Sequence, residues 1–227
     1  MLGIKINRVV KFLVLSDLAF WGGWGLLTPV FAIFIVDRIE GGSALVVGIA
    51  AAVYWIFRSF FRIPIGIILD TCPGEKDDYW FLTVGLAIAS LVSFGFIFVT
   101  TPIQIYLLQT IYGISMAMSL SGWSAIFTRH IGKGQEATAW GIDATLVGMG
   151  TGISGALGGW AVTQFGFDAV FVAVGLTGII GTLLLLGIRN DIKGVFDRGF
   201  PASVREIFRS DEKQGNSEST LRDSRFS

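Results

Sequence analysis

Arg58-Ser-Phe-Phe-Arg62-Ile-Pro64-Ile-Gly66-Ile-Ile-Leu-Asp70 closes a long apolar run that begins near Ser43. It puts two arginines, four residues apart and so on one helix face, inside a stretch long enough to cross a bilayer. Charged side chains within a spanning helix are costly and mark a pathway, a relay or a lock. The stretch leaves the apolar phase on Gly66-x-x-x-Asp70.

The composition agrees with a membrane setting. Of 227 residues, 52% are hydrophobic and only 15% charged, against about 25% charged in soluble domains. The apolar surplus must face something other than water, and a lipid bilayer is the expected partner. Net charge is zero, and no basic run is present, which argues against a nucleic-acid binder. One cysteine, Cys72, excludes an internal disulfide, and with the single histidine, His130, it makes no metal-ligand set. No metal or cofactor is expected. No nucleophile–base constellation or phosphate loop suggests an enzyme. The first apolar run is too long and too continuous for a secretory signal.

Six spans are predicted, at about 9–36, 43–69, 79–99, 103–127, 137–164 and 168–188, making an all-α polytopic bundle over 9–188. The first contains Asp17, Gly22-Gly23, Gly25 and Pro29 and should be bent. The third and fourth come from one uncharged stretch, Tyr79 to Thr128, which Thr100-Thr101-Pro102 divides. Phe165-Gly166-Phe167-Asp168 turns the chain between the last two. Residues 1–8 are a short basic N-terminus. Residues 189–227 are a polar tail expected to be largely disordered, with one short interfacial helix over 201–210. Lysines and arginines crowd the ends and the 2–3 and 4–5 loops, while Arg38 stands alone opposite. The positive-inside rule therefore puts both termini in the cytoplasm.

Polar and aromatic residues fall in stripes. Asp17, Trp21, Trp24 and Thr28 share a face of the first span, Tyr54, Arg58 and Arg62 one of the second, and Gln109, Tyr112, Ser115, Ser119 and Trp123 one of the fourth. Facing lipid would waste them, so they are expected to line a cavity or meet partner helices, with local hydroxyl-to-carbonyl bonding the plainer role for serine and threonine. In the fifth span Gly148/Gly152 and Gly155/Gly159 are small-xxx-small pairs, expected to let helices pack closely. Asp143, just inside that span, reads as a capping or interfacial carboxylate. Asp17 and Arg62 sit at matching depth, each roughly 12 Å from its helix end, and are expected to pair, as a lock or as a proton-coupling site, with Arg58 sharing the pair or facing the cavity as an anion anchor.

Taken together, Gly66-Ile-Ile-Leu-Asp70, Ser154-Gly155-Ala-Leu-Gly158-Gly159 and the passage from Gly158 to Phe171 resemble, in order and spacing, one six-helix half of a major facilitator superfamily transporter. The resemblance covers about 9–188. It implies that spans 1 and 4 line a solute cavity, that Gly66 and Asp70 belong to a gate against a second half, and that the chain works as a half-size secondary transporter by alternating access. A second copy or a separate six-helix half is then the partner, a small molecule the substrate, and a coupling proton an option. The sequence departs from the family pattern at Thr71 to Lys76, where basic residues and glycine are expected. It departs also at Gln109, which replaces an arginine four before Gly113, and at Gly155, which replaces a proline. A non-transporting membrane scaffold or regulatory subunit, or an inactive fragment, is the alternative reading.

Overall fold

The computed structural model describes residues 7–72 and 74–192, and among these every regular element is helical. The short helix expected over 201–210 and the polar tail lie outside the described residues.

Helix α1 (Arg8–Leu27) is started by Asn7, whose side chain accepts from Val9 N at 3.2 Å. It breaks at Thr28-Pro29-Val30, where proline supplies no N–H, and resumes as α2 (Phe31–Arg38). The bend predicted for the first span is thus a full interruption. Helix α3 (Ala44–Thr71), capped by Ser43, runs through Pro64 without stopping. Helix α4 (Lys76–Gly95) follows, then a 3₁₀ turn at Phe96–Phe98. Helix α5 (Pro102–His130) opens on a proline, and Gln104 Oε1 accepts from Thr101 N at 3.1 Å and Thr100 N at 2.8 Å. Helix α6 (Glu136–Leu185) carries Gly166 at φ 79°, ψ 172°, a backbone state that glycine adopts without strain. Gly166 divides α6 into two arms. At 50 residues, α6 measures about 75 Å, twice the thickness of a bilayer. With α1 and α2 as one broken span, the described residues make six spans.

Burial orders them. α1 lies between both arms of α6. Gly25 meets Thr151 and Ser154 of the first arm, Gly23 meets Thr177 of the second, and Ser16 Oγ donates to Gly181 O at 2.8 Å. The second arm continues onto α4, α4 packs on α5 through Gly85 and Gly122, and α3 packs on α5 at the outside of the row. Phe34, Phe96 and Phe171 fill the end of the bundle that carries the Glu40 N to Thr100 O bond (2.9 Å). The other end is held by charge. Asp78, 0% exposed, accepts from Arg129, and His130 Nδ1 stands 3.7 Å from Glu75 Oε1. Asp77 and Asp78 lie in the first turn of α4, although the sequence places them in a loop. A helix N-terminus favours carboxylates there.

Candidate functional site

The site grows from one glycine. A Cβ on Gly113 would lie 2.8 Å from Tyr54 O, 3.2 Å from Arg58 N and 3.3 Å from Phe57 Cβ, so α5 and α3 touch backbone to backbone at this point. That approach lays Tyr54 against Tyr112, stacked at 4.9 Å, and Tyr112 in turn lies under Trp24 of α1 at 4.3 Å. Three helices therefore contribute to one aromatic stack.

Arg58 stands at its edge. Its Nη1 donates to Tyr54 Oη at 3.0 Å, and the guanidinium lies over Trp55, 4.7 Å from the ring centroid. Among the described residues no carboxylate lies within ion-pair distance of Arg58 or Arg62. Arg58 is fourteen residues from the start of α3 and thirteen from its end, so about 20 Å from either. An arginine at the centre of a span costs at least about 2.5–3.5 kcal/mol on insertion scales. One hydroxyl and one ring offset part of that. Beside the stack, Trp24 Nε1 and Gln109 Oε1 are buried without a hydrogen-bond partner among the described residues.

The other predicted residues divide. Trp21 packs edge-on to Phe20 (5.4 Å), and its carbonyl accepts from Thr151 Oγ1 at 3.3 Å. Thr28 Oγ1 donates to Trp24 O (3.0 Å) and Ser115 Oγ to Ile111 O (2.7 Å), local bonds within their own helices. Ser115 and Ser119 are buried where the α5 backbone meets Gly85 of α4. Trp123 stacks on Phe127 (4.3 Å) and meets Trp140 of α6. Gly66 has open space where a Cβ would stand, and Asp70 is exposed.

Three expectations are corrected. Asp17 and Arg62 do not pair. α3 packs on α5 while α1 sits between the arms of α6, so the helices bearing the two charges are not neighbours, and Arg62 is exposed. The charged residue that faces Asp17 is Asp143 of α6. Asp143 is also no cap: it is the eighth residue of α6, buried, with Oδ1 unpartnered among the described residues. Within the chain, the close helix contact of α6 is made by Gly150 on Leu18 and Gly158 on Leu26. Gly155 only approaches Gly25 O at 3.6 Å, and Gly148, Gly152 and Gly159 face open space. The glycine period was legible, but it left open which of two adjacent faces turns inward. A further hollow of about 220 Å³ opens between α1 and α6, lined by Val10, Val14, Ala139, Ile142 and Leu146, and includes none of the predicted cavity residues.

The model of the Major Facilitator Superfamily matches residues 13–213. The chain belongs to this family. Among curated members of the superfamily, it is 31% identical over 149 residues to the uncharacterized MFS-type transporter MJ1317 of Methanocaldococcus jannaschii. That match covers 65% of this chain and 36% of the relative. A second uncharacterized MFS-type transporter of the same organism, MJ1560, is 22% identical over 180 residues, covering 79% of this chain and 45% of the relative. The matches thus span less than half of either relative's length. Superfamily membership makes this a multi-pass membrane protein of a transporter family.

Proposed function

We propose that this six-helix body is one half of a secondary transporter, which carries a small solute across the cytoplasmic membrane by alternating access against a second six-helix body. That second body is another copy of this chain or a separately encoded half. The observation that carries the reading is the wall of Trp24, Tyr54, Tyr112 and Arg58, three helices deep in the bundle and short of polar partners of its own. Rocking one body against another around a midplane site needs such a wall from each.

Two uncovered faces support pairing. Trp55, Ile56, Phe60, Ile63 and Ile67 of α3 are exposed, and so are Met149, Ile153, Leu157 and Trp160 on the first arm of α6. Gly148, Gly152 and Gly159 on that arm leave room for a close helix approach. Gly66 and Asp70, at the end of α3, are the gate that meets the second body. The excess of basic residues at the chain ends and in the 2–3 and 4–5 loops supports cytoplasmic termini. A coupling proton, where one is used, is carried by Asp17, which faces a second carboxylate, Asp143, and is in no ion pair among the described residues.

Pairing is the test. Cysteines at Phe60 and Ile153 in the full chain, crosslinked in native membranes, should give a band near twice 24.5 kDa or a heteromer with another small membrane protein. A monomer under every mild condition refutes the two-body reading.

A further inference from the structure

We infer that Arg58, at the edge of the aromatic stack, is the anchor of a binding site for small amphipathic organic anions, whose carboxylate, phosphate or sulfonate group meets the guanidinium. This rests on the transporter reading and names its substrate class.

Arg58 offers five N–H donors in a planar fork. One is held by Tyr54 Oη at 3.0 Å, and the flat side of the group rests on Trp55 at 4.7 Å. The ring and the hydroxyl orient the fork but leave its charge uncompensated. The titratable groups that face it are the phenols of Tyr54 and Tyr112. Among the described residues no acid meets Arg58, although acids are at hand elsewhere in the chain. Asp17 is turned to Asp143, Asp78 holds Arg129, and Glu75 faces His130. Arg58, in the middle of its span, is thus left without an acid among the described residues.

Depth decides between sources of anion. Lipid headgroups lie at the ends of α3, about 20 Å from Arg58 along the helix. A solute that enters between two bodies reaches the middle. The polar groups nearby agree with a solute larger than a halide. Gln109, 7% exposed, lies one turn along α5 from Tyr112, and Trp24 stacks on Tyr112; Gln109 Oε1 has no donor and Trp24 Nε1 no acceptor among the described residues. A ligand with an anionic head, an apolar body and one further hydrogen-bonding group satisfies all three. Arg62, one turn farther along α3 and without a partner among the described residues, lies on the route to the nearer bundle end and attracts the same sign of charge.

The test uses the purified full chain in mild detergent and three anions built on one ring, benzoate, phenyl phosphate and benzenesulfonate, against benzylamine and benzyl alcohol. Tryptophan fluorescence is read, since Trp24 and Trp55 border the site. At least one anion should bind saturably, and the cation and the alcohol at least tenfold more weakly. Arg58→Gln should remove that difference, Arg58→Lys should weaken anion binding about tenfold by losing the planar fork, and Arg62→Gln should change it less than threefold. Circular dichroism of each variant confirms that it is folded. Equal response to all five probes, no saturable anion, or full anion binding by folded Arg58→Gln overturns the inference. Crosslinking on the same preparations separates the two readings. Pairing that persists while anion binding fails rejects the anion site alone. Pairing lost specifically in folded Arg58→Gln shows that a partner's acid holds Arg58, and also overturns the inference.

Discussion

Replacing Gly113 by alanine adds one methyl where α3 and α5 touch. The new carbon would sit 2.8 Å from Tyr54 O and 3.2 Å from Arg58 N. Both neighbours are backbone atoms, so no side-chain rotation can relieve the contact, and α3 must move about 0.5 Å away to restore ordinary van der Waals distance. Overpacking of this kind costs about 1–3 kcal/mol. Alanine's better helix propensity returns up to about 1 kcal/mol, leaving a net loss of roughly 1–2 kcal/mol. At about 2–4 °C per kcal/mol for a chain of this size, the melting temperature in detergent should fall by roughly 2–8 °C. Because the same contact seats Tyr54 against Tyr112, tryptophan emission from Trp24 and Trp55 should shift with it. Gly22→Ala is the control, since its Cβ meets nothing within 4 Å, and it should melt no lower than wild type. Scanning fluorimetry of the three proteins decides the matter. A Gly113→Ala protein as stable as wild type, or equal losses from both substitutions, refutes the close α3–α5 approach.

Arg129→Gln leaves the buried Asp78 carboxylate without its cation. The loss should be about 2 kcal/mol, below the 3–5 kcal/mol of a fully buried pair, because the Arg129 side chain is 37% exposed. Adding Asp78→Asn should recover part of the melting temperature. Asp17→Asn and Arg62→Gln should act independently, their effects on stability adding within about 0.5 kcal/mol. A double-mutant cycle with a larger coupling would restore the ion pair that the helix arrangement excludes.

The spans were legible because length, hydropathy and two kinds of punctuation, proline and charge, locate them from local information. Pro29, Pro102 and Gly166 each mark a real break or corner. The members of the stack were legible too, since Trp24, Tyr54, Arg58 and Tyr112 stand out by periodicity, and the structure brings them into contact. What stayed hidden is which helix neighbours which. Pairing Asp17 with Arg62 took consecutive spans for adjacent ones, and α3 instead lies at the far side of α5. The inward face of the first arm of α6 stayed open for a related reason. Its glycines occur on nearly every side, and only the position of α1 selects Gly150 and Gly158. Asp143 looked peripheral from its closeness to a helix start, while its burial comes from the packing of α1 against it. Trp55 carried no signal of its own, because an aromatic in a span is ordinary until an arginine one turn away lies on it.

The seat of α1 between the arms of α6 has a consequence for biogenesis. Helix α1 leaves the ribosome well before α6, yet has its main contacts with it and the residues that follow it: Gly23 with Thr177, Ser16 with Gly181, and Arg8 with Asp191. Contacts so distant in sequence are slow to form. Until α6 has been inserted, α1 remains in lipid with Asp17 on one face and its glycine notches unfilled. The nascent bundle stays open along that seam, and the arrival of the two arms of α6 closes it in one later step.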